Sequence, residues 1–261
     1  MKRESGAMFA VVVCASMLAC DPHRERGLRG RASDEWSHTY TLSEGGELQI
    51  VSGNGPIEVA STSGPATVVR AERVVHASTD AEALGFVSHV RIREDAGADR
   101  VLLQDGGLAG EVVGVEVEVR FHVATPPATR LRLRTLNGDI EVSGISGAVV
   151  ASTSAGRIEG RSLSGVIEAR STSGAILLDL SRLSDRVVAD AADASVELTI
   201  PADSNALIQA QSTNGSVQLI GLPVESEEPR NAHRLRARLN GGSVAVALTS
   251  VNGDIRIGPR R

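Results

Sequence analysis

The sequence predicts an all-β protein built as a stacked β-repeat, of β-solenoid or β-helix type, with short Asn-Gly and Ser-Gly turns. Three observations lead there. Gly138, Gly147, Gly156, Gly165 and Gly174 recur at a fixed nine-residue interval. Two residues after each stands a β-branched residue (Ile140, Val149, Ile158, Ile167, Ile176), and two further on a small or apolar one (Val142, Ala151, Gly160, Ala169, Leu178). Finally, 41% of the 261 residues are hydrophobic but only 2% aromatic, with 27 glycines, which requires a thin core of small aliphatic layers.

Glycine permits the tight turn, and the alternation after it is that of a strand with one inward face. One nine-residue unit cannot bury its own inner face, so units must stack. The Asn-Gly pairs would also suit hairpins, but a hairpin meander does not hold its turns to one count. In this phase Ile158 and Ile167 point into the core, and Glu159 and Glu168 point to water.

Taken from the N-terminus, Lys2 and Arg3 precede the apolar run Met8–Leu18, too short to span a bilayer and suited to a secretory signal. Met17-Leu18-Ala19-Cys20 resembles a bacterial lipobox, which implies acylation at Cys20. Cys14 would leave with the signal, so the mature chain keeps one cysteine, at its first position, and no internal disulfide. Residues 1–19 are thus read as a lipoprotein signal peptide, 20–37 as the acylated N-terminus and a polar, flexible tether, and 38–261 as the β-repeat domain. Inner and outer membrane both remain open.

Within the domain, Leu48–Val59 carries the first turn, Asn54-Gly55. Thr79-Asp-Ala-Glu82 reads as a capping box opening a short helix to about Val87. From Val113 to Val123, apolar and polar residues alternate as in a half-buried strand. A longer repeat relates Val123–Val142, with Asn137-Gly138, to Leu198–Leu219, with Asn214-Gly215: each has an apolar strand, a Pro-marked turn, an alternating strand and then the Asn-Gly pair. Residues 223–233 read as a polar loop, and Val251–Ile257 echoes the block with Asn252-Gly253.

The Val-x-x-Pro strand leading into Thr/Ser-x-Asn-Gly-Asp-Ile-x-Val is similar to that of a bacterial "putative adhesin" family of β-strand-repeat domains. The likeness covers roughly residues 40–258 and is best over 112–220. It implies architecture, and it supplies no catalytic residues.

Other chemistries are weakly supported. The formal net charge is −5, and −6 once Lys2, Arg3 and Glu4 leave, with no basic block, which argues against nucleic acid. A calcium β-roll would place Asp and extra Gly at every turn, whereas Asp139 alone occurs among the five beats. Asp139 and Asp254 are expected to support their own turns. The six histidines lack metal-ligand spacing, and His122 lies in the polar phase of its strand. A β-helix enzyme would need converging acids; the nearby pairs Asp190 with Asp193 and Asp179 with Asp185, and a shared face for Arg157 and Arg170, are the candidates. The hydroxyls of Ser152–Ser154 and Ser171–Ser173 suit backbone bonds and ladders at the corners. No cofactor motif occurs.

The expectation is a lipid-anchored protein of the bacterial cell envelope with a binding, adhesion-like or scaffolding role and no catalysis. Its partners would be the membrane, through Cys20, and an envelope glycan or protein. The alternatives are a β-helix enzyme acting on polysaccharide, and an envelope-stress or signalling accessory that binds a membrane partner. If the glycine beat is structural, a calcium chelator should leave the melting temperature unchanged. A drop restored by added calcium would establish the β-roll instead.

Overall fold

Alternating Val, Ile and Leu form the strands, and glycine corners fold successive strands back on each other into two-strand coils. The computed structural model describes residues 27–108, 113–227 and 231–260; Cys20 and the expected leader lie outside them. Two parallel-stacked sheets, ten- and eleven-stranded, enclose the core. Each coil gives one strand to the eleven-stranded sheet and the next to the ten-stranded sheet.

From one end of the stack, the coils are β6 (Arg100–Asp105) with β7 (Glu116–Thr125), then β2 (Glu47–Asn54) with β3 (Ile57–Ser61), then β8 (Arg130–Asn137) with β9 (Ile140–Ser143). Next come β10 (Val149–Ala155) with β11 (Ile158–Leu163), β12 (Ile167–Ser173) with β13 (Ile176–Leu180), and β14 (Val187–Ala191) with β15 (Val196–Ile200). The stack ends with β20 (Val244–Ser250) and β21 (Ile255–Pro259), then β16 (Ala206–Ser212) and β17 (Val217–Leu219). The nine-residue beat is therefore half a coil. Val149 pairs with Ile167 and Ile140 with Ile158, eighteen residues apart, while Ile158 and Ile167 themselves sit on opposite sheets and line the same interior.

The inward phase is as the sequence sets it. Ile140, Val149, Ile158, Ile167 and Ile176 are buried, and so are Val142, Ala151, Ala169 and Leu178. Gly160 keeps the same phase for a steric reason: a Cβ there would lie 2.5 Å from Leu163 Cδ1.

The order in space differs from the order in sequence at both ends. The N-terminal coil, β2 and β3, lies between β6–β7 and β8–β9, and the C-terminal coil, β20 and β21, lies between β14–β15 and β16–β17. The longer sequence repeat is explained by this. Its two copies are the segments that step over an inserted coil, from β7 to β8 and from β15 to β16. Each step turns at proline, with Thr129 N donating to Pro126 O and Ser204 N to Pro201 O, both at 3.1 Å. The two shorter echoes, Leu48–Val59 and Val251–Ile257, are the inserted coils.

Caps close both ends. β1 (Gly30–Tyr40) pairs antiparallel with β4 (Thr67–Ala77), which pairs antiparallel with β7, and β5 (Ile92–Ala96) pairs antiparallel with β6. Residues 30–37, read as tether, are thus strand: the whole of β1 is in register with β4, and its inward phase carries Trp36, His38 and Tyr40 across to Glu94 of β5. Burial, with the Glu94 carboxylate nearby, raises the Tyr40 phenol far above its ordinary pKa, so it stays neutral. The helix α1 (Asp80–Val87) forms where the capping pattern places it, with Thr79 Oγ1 accepting from Glu82 N at 3.2 Å. Asp80 Oδ1 in turn accepts from Arg31 N at 2.9 Å, fastening the start of β1. At the far end β19 (Arg234–Leu239) pairs antiparallel with β16, and β18 (Ser226–Glu227) with β19, inside the stretch read as loop.

The fixed phase gives a sharp contrast between neighbours. Ile167→Asp places an unpaired charge in the core and should cost several kcal/mol, on the order of 2–7. Glu168→Lys loses only surface pairs to Arg170 and Arg186 and should cost about 1 kcal/mol or less. Urea melts of the two variants check this; equal effects would contradict the phase.

Candidate functional site: corners and outer faces

The turn residues sort into two columns. Asn54-Gly55, Asn137-Gly138, Gly156, Gly174, Asn252-Gly253 and Asn214-Gly215 occupy the corner from the eleven- to the ten-stranded sheet, and Gly147 and Gly165 the opposite corner. At the first corner the coils approach so closely that a Cβ on Gly138 would lie 2.2 Å from Gly55 O, and one on Gly156 2.1 Å from Gly138 O. Gly156 also has φ +148°, a region side chains rarely adopt. At the second corner a Cβ on Gly165 would meet Gly147 O at 2.3 Å.

Beside the first column runs a ladder of buried hydroxyls. Thr135 Oγ1 donates to Gly55 O, Thr153 Oγ1 to Gly138 O and Ser171 Oγ to Gly156 O, at 3.1–3.2 Å. Ser250 Oγ donates to Ala194 O at 2.9 Å and Ser212 Oγ to Gly253 O at 2.8 Å. The ladder ends where Ser52 Oγ donates to Asp105 Oδ2. Ala191 and Ala194, in β14 and the corner after it, replace the hydroxyl and the glycine and interrupt both columns. Asp139 and Asp254 act between coils rather than within their own turns: Asp139 Oδ1 accepts from Arg157 N, and Asp254 Oδ1 from Ser216 N and Oγ. Those two bonds from Ser216 hold the Asp254 carboxyl below its usual pKa. The contribution they make is present at neutral pH and lost as pH falls through the lowered pKa.

With the core filled, the polar chemistry lies on the outer faces. On the ten-stranded sheet, Arg70, His122, Glu58 and Glu141 stand in one register row across β4, β7, β3 and β9. The next row holds Val68, Ala124, Ala60 and Ser143, whose small side chains leave a shelf of about 450 Å³. Glu58, Glu141 and Glu159 occupy neighbouring strands, as an acid-pair enzyme would require. Each is already held: Glu58 Oε2 lies 3.0 Å from His122 Nδ1, and Arg161 lies 3.4 Å from Glu141 and 2.7 Å from Glu159. Sequence reading did not find this shelf, because its residues come from five strands, β3, β4, β7, β9 and β11.

The acids singled out in the sequence are also separated or paired. Asp179 accepts from Thr199 Oγ1 and Ser162 N and pairs with Arg260 at 3.2 Å. Asp190 faces outward beside Arg170, whereas Asp193 sits at a corner with Asn252. Arg157 pairs with Asp139 at a corner, so it does not share a face with Arg170, which lies on the outside of the eleven-stranded sheet. No group of three or more His, Cys, Asp or Glu able to hold a metal occurs among the described residues.

A closed aliphatic core between two stacked sheets, with glycine corners and open polar faces, defines a solenoid-like repeat domain. The chain belongs to the Toastrack DUF4097 family, whose pattern matches residues 46–258. Among solved structures it is similar to a "putative cell adhesion protein" from Clostridium sporogenes, with 12% identity, TM-score 0.56, and 88% of this chain and 100% of that one covered. It is also similar to a "putative adhesin" from Bacteroides fragilis, with 9% identity, TM-score 0.31, and 86% and 97% covered. A comparison with curated proteins finds no match.

The corner geometry sets two glycines apart. Gly156→Ala should cost at least about 2–3 kcal/mol, because carbonyl and Cβ would overlap. Gly85→Ala, on an exposed helix position with nothing within 4 Å, should instead stabilise by about 0.5–1 kcal/mol. Thermal melts of both variants would show opposite shifts.

Proposed function

We propose that this protein is lipid-anchored at Cys20 in the bacterial cell envelope and binds an envelope glycan or protein through its outer sheet faces, without catalysis. The observation that carries this reading is the division of the molecule: the interior is filled with aliphatic side chains, and the shelf and basins of substantial volume lie open on the outer faces. The acids of the shelf, Glu58 and Glu141, are engaged by His122 and Arg161, which suits a surface for recognition better than one for proton transfer. The adhesion name of the Clostridium protein agrees with a binding role. Among the described residues no helix is long and apolar enough to cross a membrane. The anchor in this reading is the acylated Cys20 of the lipobox-like Met17–Cys20 segment.

Cys20→Ser should abolish labelling with a fatty-acid analogue and move the protein from the detergent phase to the aqueous phase. A wild-type chain that is unlabelled and carries a free thiol would overturn the anchor. Crosslinking in the native envelope, followed by pull-down, should recover a glycan or protein bound to the anchored form.

A further inference from the structure

We infer that the shelf on the ten-stranded sheet binds the C-terminal carboxylate of a peptide with small apolar side chains, an inference that rests on the binding role proposed above. The cation that marks the site is Arg70 of β4. It is exposed and has no ion pair among the described residues. The other cations of the shelf are engaged, His122 by Glu58 at 3.0 Å, and Arg161 by Glu141 at 3.4 Å and by Glu159 at 2.7 Å. The shelf therefore offers one open guanidinium, which suits one carboxylate.

The surroundings of Arg70 decide which side the anion takes. Arg70 also borders a depression of about 630 Å³, but that one is lined by Asp34, Glu35 and Glu72, which repel an anion. On the shelf side the adjoining row is Val68, Ala124 and Ala60, which are uncharged and none of which is buried. Ser143 of β9 continues that row. Small apolar residues on three adjacent strands give a floor on which methyl groups can lie, and covering it removes apolar surface from water.

The row above the floor orients a peptide. From Arg70 to Glu141 are three strand spacings, or about 14 Å. An extended chain rises about 3.3 Å per residue, so roughly four residues cover that distance. Glu58 and Glu141 are each engaged by one side chain, and a carboxylate accepts more than one bond, so both can take peptide N–H groups. A guanidinium fork meets a carboxylate through two parallel bonds. Arg70 stands at the end of this row, with only Ser37 of the edge strand β1 beyond it, so the carboxylate it holds is a terminus rather than a mid-chain group. No Trp, Tyr or Phe lines the shelf, so a sugar ring finds no stacking platform there.

The test uses full-length protein in detergent and acetyl-Ala-Ala-Ala, followed by saturation-transfer NMR of the peptide methyl groups and titrated for affinity. Wild type should bind this acid, and should bind its C-terminal amide, acetyl-Ala-Asp-Ala-amide and acetate at least about tenfold more weakly. R70Q should weaken binding by about tenfold or more. A60Q, which fills the floor from an exposed position, should cost a similar factor. R134Q removes one charge from the opposite sheet and should bind as wild type does. Unchanged thermal melts would establish that the variants are folded. No binding by wild type, equal binding of the amide, of acetate or of the internal aspartate, or an equal loss in R134Q would each overturn the inference. Galacturonate binding more tightly than the peptide acid would overturn it in favour of a glycan. The anchor and the envelope partner are read separately, through Cys20→Ser and the crosslinked pull-down. A partner still recovered with R70Q would leave the binding role standing and remove the shelf from it.

Discussion

The stack depends on how closely one corner can lie upon the next. Where a side chain would begin on Gly138, Gly156 or Gly174, the carbonyl oxygen of the neighbouring coil already sits about 2 Å away. That approach brings the strands within hydrogen-bonding reach on both sheets at once. It also carries each corner carbonyl to the hydroxyl of the next coil, so that a buried Ser or Thr is satisfied rather than orphaned. Burial of Ile, Val and Leu supplies the driving force, but the glycine column fixes the spacing at which that burial can occur. The thin cross-section and the scarcity of aromatic residues follow from the same spacing.

Because alternation sends every second side chain outward, inside and outside are chemically independent. The inward positions are nearly monotonous. The outward positions vary freely, and they have been used in two ways. On the ten-stranded sheet, acids are interleaved with arginine and histidine in a lattice of exposed pairs, each worth little alone. On the eleven-stranded sheet, arginines stand among hydroxyls and amides as well as beside acids, as Arg170 does with Glu168 and Asp190. A scaffold of this kind can alter what it recognises without disturbing how it folds.

Much of this was legible in the chain. The glycine beat gave the strand phase for residues 138–178, and Thr79 with Glu82 gave the helix, because both signals are local. That alternate beats belong to opposite sheets was not legible, since the two inner faces use the same residues. β1 was hidden by its composition: Asp34 and His38 lie in its inward phase, and their partners, Arg73 and Glu94, are distant in sequence. The shelf was invisible for the related reason that register between far segments brings its residues together. The longer repeat was visible, but its meaning, a step across an inserted coil, is a fact about space.

The inserted coils also decide how such a molecule can change in length. In a simple solenoid the terminal coil has one free side, and repeats can be added or lost there. Here the first and last coils of the chain are each paired on both sides, and the ends of the stack are made by internal segments that return under antiparallel caps. Only the run from β8 to β15 follows sequence order coil by coil. A duplicated eighteen-residue unit could be accommodated within that run, near Gly147 or Gly165, with every existing neighbour replaced by a copy of itself. The same unit appended to either terminus would find no open edge of its own kind to join. The protein is in this sense a repeat that grows from its middle.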